Sequence, residues 1–362
     1  MLHRYGVFFV ACALPLLFVG QLTPSMAHEL DFWLLWLVAM TLVGLPVLFA
    51  EFALSARSGD APWQGMQKLT READAKITWR IFAGLSVLVS MLITASITAR
   101  IGAGFATHLP QIELPVPSMG LSAGLMIVVL ILTLLKGRLL PVGLVFVVLG
   151  ALVSLFDGGV ESGITVPMMT ATSLSEWGRA VSLALLSVGV GTGLYWFGSV
   201  GASSAIYQQK KSLTGFILPV WLTQIIFGSL ALLAGSAFVT PTSFLVSALG
   251  MILIASFLSY YAVSQLTARF GLVTGVGIGV VGLLIFSAIP AKVMLILLVV
   301  LSLIAVLVLA VFSGFIMKIS HLRKTFNFQS EGRYNIWRVL VRIAVPLALA
   351  LALVGWVLEW LR

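Results

Sequence analysis

The chain is poor in charge. Asp, Glu, Lys and Arg make up 9% of its 362 residues, where a soluble domain carries roughly 25%. No polar stretch is long enough to fold as a separate soluble domain; the longest, Ser55 to Trp79, is loop-sized. Cysteine is nearly absent too. Cys12 stands alone inside an apolar run, which rules out an intrachain disulfide. The four histidines (His3, His28, His108 and His321) lie near the ends of apolar runs and have no metal-ligand spacing. No apolar run carries paired carboxylates or a nucleophile beside a base, so no enzyme and no cofactor is expected. Charge rings and filter motifs of the kind channels use are lacking as well. Asparagine occurs only at 327 and 335, both in the polar link before the last apolar run.

What the chain does contain is hydrophobic sequence, 60% of it, with a mean hydropathy of +1.13. A membrane-crossing helix needs about 20 mainly apolar residues. Candidates lie at 5–24, 31–54, 78–106, 119–135, 139–157, 178–205, 213–239, 244–267, 271–289, 292–317 and 338–360. The expectation is therefore an all-α integral membrane protein, one domain spanning 1–362, with about eleven transmembrane helices. The formal net charge of +9 does not indicate nucleic acid, because the basic residues sit in short links between apolar runs. With the N-terminus in the cytoplasm and strict alternation, all of the 21 basic residues except Arg100, Arg179, Lys292 and Arg362 fall inside. That is the positive-inside bias. The expected location is the inner (plasma) membrane, with a cytoplasmic N-terminus and an outside C-terminus. Trp33, Trp36, Trp177, Trp356 and Trp360 read as an outer aromatic belt, and Trp79 and Trp337 as an inner one. Residues 1–27 have two readings, a cleaved signal peptide ending at Pro24-Ser25-Met26-Ala27 or a retained first helix.

Chemistry at membrane depth needs polar groups or free backbone. The sixth run holds Ser187-Val188-Gly189-Val190-Gly191-Thr192-Gly193. Its three glycines weaken the helix by about 1 kcal/mol each relative to Ala, and an unwound stretch there would offer amides and carbonyls to a ligand. Close helix packing is the other reading. In the first run, Pro15 predicts a break or kink. Interrupted helices at corresponding places in two halves mark inverted-repeat transporters. Two charges lie within runs, Glu51 and Arg100, and intramembrane charges are functional candidates. An unpaired buried carboxylate is costly, which makes Glu51 a proton-coupling candidate or a structural acceptor for loose amides. Arg100 reads either as an outer-gate group or as a side chain snorkelling to the surface.

In order along the chain, Leu42-Val43-Gly44-Leu45-Pro46 with Glu51, Lys136 to Pro141, Leu186-Ser187-Val188-Gly189-Val190-Gly191, Ala255-Ser256-Phe257-Leu258-Ser259 and Trp337 to Trp356 resemble stretches of the neurotransmitter:sodium symporter family, whose fold is named for a bacterial leucine transporter (LeuT). The resemblance favours a retained first helix. It implies a 5+5 inverted repeat, about 5–157 and 178–317, plus an extra helix at 338–360. It also implies a substrate site at Ala95, Ser187, Val188, Gly189, Val190 and Gly191, and an ion site near Ala255 and Ser259. Arg57 stands one residue later than the family pattern. Val10 to Leu16 and Val19 replace the stretch that carries the family's Asn residues and gating Arg. Ala95 replaces a lid Tyr, and Leu185 and Leu258 replace sodium-binding Thr residues. Residues 293–317 lack the outer-gate acid. The implied function is a secondary transporter for a small, amino-acid-like solute, working by alternating access without a standard two-sodium site. The other reading is a non-transporting membrane subunit or scaffold for a partner protein. The bilayer is a partner in either case.

Overall fold

The computed structural model describes residues 2–23, 29–109, 117–159, 173–189, 193–234 and 240–361. Every regular element in them is helical. The longest pieces are α1 (Leu2–Leu22), α2 (Leu30–Ala39) continuing into α3 (Leu45–Ser58), the short α4 (Pro62–Glu72), α5 (Ile81–His108), α6 (Ser118–Leu132), α7 (Leu140–Gly159), α8 (Leu174–Val188), α9 (Leu194–Gln208), α10 (Thr214–Ala234), α11 (Pro241–Phe270), α12 (Leu272–Ser287) and α13 (Ala291–Val311). The short helices α14 (Ile319–Phe326) and α15 (Glu331–Val339) precede α16 (Val345–Trp360). Among the described residues, seven continuous helical stretches are long and apolar enough to cross a membrane, and two shorter apolar helices, Gly6–Leu22 and Leu272–Ser287, accompany them. One of the seven, Ser118–Ser154, covers α6 and most of α7, and Lys136 at φ 57°, ψ −135° breaks the helical path between them. The chain is a multi-pass, all-helical membrane protein.

Burial divides the helices into core and lipid-facing sets. In α1, Val7, Val10, Ala11, Ala13, Leu14, Leu17, Val19 and Leu22 are all buried, and α1 packs among α7, α8, α9 and α10. An apolar helix buried all round belongs at the centre of a bundle. The exposed apolar side chains concentrate on α6, α7, α10, α12 and α16, for example Ile127, Val142, Ile226, Val281 and Leu347. Lipid is as apolar as these residues, so close packing rather than hydrophobic burial must hold the core helices together. The α7–α11 crossing illustrates this. A Cβ on Gly143 would stand 2.9 Å from the Gly250 carbonyl, and one on Gly250 would stand 2.6 Å from the Gly143 carbonyl.

The expected break at Pro15 is absent, because α1 runs through Pro15 as one helix. The surrounding Ala11-Cys12-Ala13-Leu14 and Leu16-Leu17 contain no glycine and no polar side chain to take over freed backbone groups. In an apolar core a full break would strand several such groups, whereas the proline removes only one donor. Other helices do loosen. Single π-helical turns, Met40–Gly44, Phe312–Ile316 and Leu340–Ala344, precede α3, end α13 and precede α16. Such turns leave carbonyls for side chains to satisfy. The Trp221 indole donates to the Met40 carbonyl at 3.1 Å, and Arg342 Nε donates to the Gly314 carbonyl at 2.5 Å.

The aromatic belt also needs correction. Trp36 and Trp356 are fully buried, and the Trp356 indole donates to the Gly178 carbonyl at 3.0 Å and to Ser182 Oγ at 2.8 Å. These rings therefore serve helix packing. α16 lies on α8 through this contact.

Candidate functional site

The sixth apolar run is two helices. α8 ends at Val188 and α9 starts at Leu194. Gly189 and Gly193 both adopt left-handed backbone, at φ 68° and 64°, which glycine reaches without steric cost. The Gly189 N–H closes α8 on the carbonyls of Leu185 (2.8 Å) and Leu186 (3.1 Å), as a left-handed cap does. The expected site residues Val190 and Gly191 lie outside the described residues, as does Thr192. Ser187 and Val188 form the last turn of α8.

A helix beginning inside a membrane protein presents unpaired N–H groups. Glu51 answers one of them. It is fully buried on α3, and its Oε1 accepts the backbone N–H of Trp196 at 3.0 Å, in the first turn of α9. A carboxylate at a helix N-terminus is favourable because the helix dipole is positive there. The other oxygen, Oε2, is buried without a hydrogen-bond partner among the described residues. One turn along α3, Ser55 Oγ donates to the Trp196 carbonyl at 3.1 Å and lies 3.1 Å from both Ser199 Oγ and Ser203 Oγ. The Trp196 indole donates to the Asp60 carbonyl at 2.8 Å. Helices α3 and α9 are thus one hydrogen-bonded unit, set by the spacing Glu51, Ser55 on one and Ser199, Ser203 on the other.

The space beside Gly189 and Gly193 is tightly filled. A Cβ on Gly189 would meet the Tyr195 ring at 2.6 Å and Leu14 Cδ1 at 2.9 Å, and one on Gly193 would meet the Tyr261 hydroxyl at 2.6 Å and Ser86 Cβ at 3.2 Å. Tyr261 and Ser86 hydrogen-bond at 3.0 Å, joining α11 to α5 beside the break. Ala95 is fully buried on α5, and Leu14 and Tyr195 close the space at Gly189. Sequence reading missed both residues, because an apolar Leu and a Tyr carry no signal of depth.

Ser259 and Ala255 are fully buried on α11, and Ser259 Oγ has no hydrogen-bond partner among the described residues. The Leu258 carbonyl accepts from Ser90 Oγ at 3.3 Å. Arg100 lies on α5 and faces α1. Its guanidinium donates to the Leu17 carbonyl of α1 at 2.6 Å, and Gln21 Nε2 donates to Ser96 Oγ at 2.9 Å nearby. Arg179 holds the end of the same helix. It donates to the Leu22 carbonyl and pairs with Glu359 of α16. These arginines are two of the four basic residues outside the inside bias, and both grip carbonyls of α1. An exception to a topology rule was the available signal for Arg179.

On the opposite end, Arg57 donates to Glu72 and, at 2.7 Å, to the Tyr207 hydroxyl. His321 Nδ1 lies 2.7 Å from Glu72 Oε1. The helix α4, read from sequence as part of a loop, thereby links α3, α9 and α14.

No protein-family model matches the sequence, and no curated protein does. Among solved structures, the crystal structure of MhsT in complex with L-phenylalanine matches with a TM-score of 0.72, covering 97% of this chain and 98% of that one at 17% identity. At that identity the likeness is one of fold, and along the whole chain it supports the LeuT-like fold.

Proposed function

We propose that this chain is a secondary-transporter-like protein that moves a small organic solute by alternating access around the α8/α9 break. The observation that carries the reading is the interrupted helix, with Glu51 capping the half-helix α9 and one of its carboxyl oxygens without a hydrogen-bond partner among the described residues. A half-helix end at depth is where transporters of this architecture bind substrate and coupling ion. The L-phenylalanine in the matched MhsT structure makes amino acids the first class to test. Eleven spans, with a cytoplasmic N-terminus and an outside C-terminus, complete the proposal: two inverted repeats at about 5–157 and 178–317 and an extra helix at about 338–360, in the inner membrane. Glu51 is the proposed proton carrier. Ser187, Val188, Gly189, Val190 and Gly191, with Ala95, are the proposed substrate surface, while Ala255 and Ser259 are a remnant ion site. Arg100 is proposed as an outer clamp on α1.

The test is a thermal-shift screen of amino acids, amines and organic anions, followed by uptake of any hit into proteoliposomes under a pH gradient or a sodium gradient. Uptake of a hit driven by the pH gradient supports the reading. The filled space at Gly189 favours a second reading, a non-transporting subunit that keeps the fold. That reading predicts no hit and no uptake, and a membrane protein that copurifies in stoichiometric amount.

A further inference from the structure

A groove of about 960 Å³ opens between the end of α13, helix α14 and the start of the last membrane helix. Four cations line it, Lys318, Arg323, Lys324 and Arg342, together with the apolar Phe315 and Ile319; its lining contains no acidic residue. We infer that this groove binds the phosphate headgroup of an anionic phospholipid from the adjoining leaflet.

The apolar surroundings say why the ligand is a lipid. Phe315 and Ile319 are exposed, and so are Val339, Ile343 and Leu347 on the faces beside Arg342. Arg342 therefore stands within a strip of exposed apolar side chains that acyl chains would cover. Its guanidinium lies over the Phe315 ring, 4.8 Å from the centroid, with Nε held by the Gly314 carbonyl. A neutral carbonyl is poor compensation for a cation at the edge of the hydrocarbon, and a phosphate oxygen is a far stronger acceptor. One turn earlier on the same helical path, Arg338 Nε is buried without a partner among the described residues. Like charges four residues apart repel each other, so an anion beside Arg342 offsets that repulsion. Lys318 and Arg323 have acidic partners, Asp74 and Glu331, but all four of these side chains are exposed. Exposed pairs of this kind contribute little and exchange readily. Basic pockets between membrane helices are the general setting for anionic headgroups. No residue of α8 or α9 lines the groove, and the inference does not rest on the transport reading.

The test is thermal unfolding of the purified full chain in neutral detergent, titrated with phosphatidylglycerol, with phosphatidylcholine of the same acyl chains, or with inorganic phosphate. Phosphatidylglycerol should stabilise the protein saturably and the other two should not. Lys324→Gln, which removes an exposed charge, should weaken the apparent affinity about fivefold. Arg342→Gln should weaken it further. Lys211→Gln, at an exposed basic link outside the groove, should leave it unchanged. If Arg342→Gln fails to fold, Lys324→Gln against Lys211→Gln decides the matter. Equal shifts with both lipids, or equal losses in both lysine variants, would overturn the inference. Full stabilisation by inorganic phosphate would also overturn it, leaving a soluble-anion site instead.

Discussion

Replacing Gly189 with alanine tests the break at its hinge. The residue sits at φ 68°, where an L side chain costs roughly 1–2 kcal/mol. The new methyl would meet the Tyr195 ring at 2.6 Å and Leu14 Cδ1 at 2.9 Å. Forcing an extra methyl into a packed core costs about 1–3 kcal/mol. Alanine returns about 0.4–1 kcal/mol by restricting the unfolded chain. The net loss is about 1–4.5 kcal/mol, or a fall in midpoint on the order of 1–6 °C for a chain this long. The assay is thermal unfolding in detergent at a fixed scan rate, since such transitions are often irreversible. Gly201 is the control. It lies on α9, is exposed, and has nothing within 4 Å of an added Cβ, so Gly201→Ala should leave the midpoint unchanged or raise it. Adding Leu14→Ala to Gly189→Ala should cost less than the sum of the two single changes, because the truncated side chain vacates one of the clashes. Equal midpoints for Gly189→Ala and Gly201→Ala would refute the left-handed cap, and with it the interrupted helix.

Sodium should shift neither the unfolding midpoint nor ligand affinity beyond a potassium control. A dehydrated cation needs several close oxygens, and Leu185 and Leu258 supply none from their side chains. A sodium-specific shift lost in Ser259→Val would mean that the remnant site works. For topology, single cysteines replacing the exposed Gln64 and Gln329 should label only from the cytoplasm, and one replacing the exposed Met119 only from outside. Labelling on the reverse sides would overturn the eleven-span order. Glu29, before α2, has its pKa raised by partial burial first and then by the neighbouring Asp31 and Glu176. The folded state therefore holds this proton more tightly than the unfolded one, and stability falls as pH rises from the ordinary carboxylate value through the raised one. Glu29→Gln should stabilise the protein at neutral pH and lose that advantage below about pH 4; a benefit that persists in acid would contradict this.

Much of the fold was legible because the bilayer imposes strict rules. Apolar length marked the helices. The break in the sixth run was legible because left-handed backbone demands glycine, as at Gly189 and Gly193. At Pro15 the helix runs on without a break. A proline removes one donor, and whether a helix then breaks depends on neighbours that could take the freed groups, which α1 lacks. Trp356 misled for a related reason. Composition places indoles at interfaces, but each N–H needs only one acceptor, and the Gly178 carbonyl gives Trp356 one inside the bundle. The Glu51–Trp196 bond joins residues 145 apart. Depth and inward direction were readable for Glu51, but its partner was not. Short polar links hid α4, because its amphipathic pattern covers only eleven residues.

Uptake by the Glu51→Gln variant tests the central claim most directly. The Gln side chain keeps an oxygen for the Trp196 N–H, so α9 stays capped and the fold should hold, while the titratable group is lost. Wild-type and variant protein should be reconstituted side by side with a solute found in the ligand screen, and uptake should be followed under an inward proton gradient and in its absence. The account predicts that the variant still binds the solute and unfolds near the wild-type temperature, yet gains nothing from the gradient. Gradient-driven accumulation equal to the wild type would contradict it and leave Glu51 as a helix cap alone.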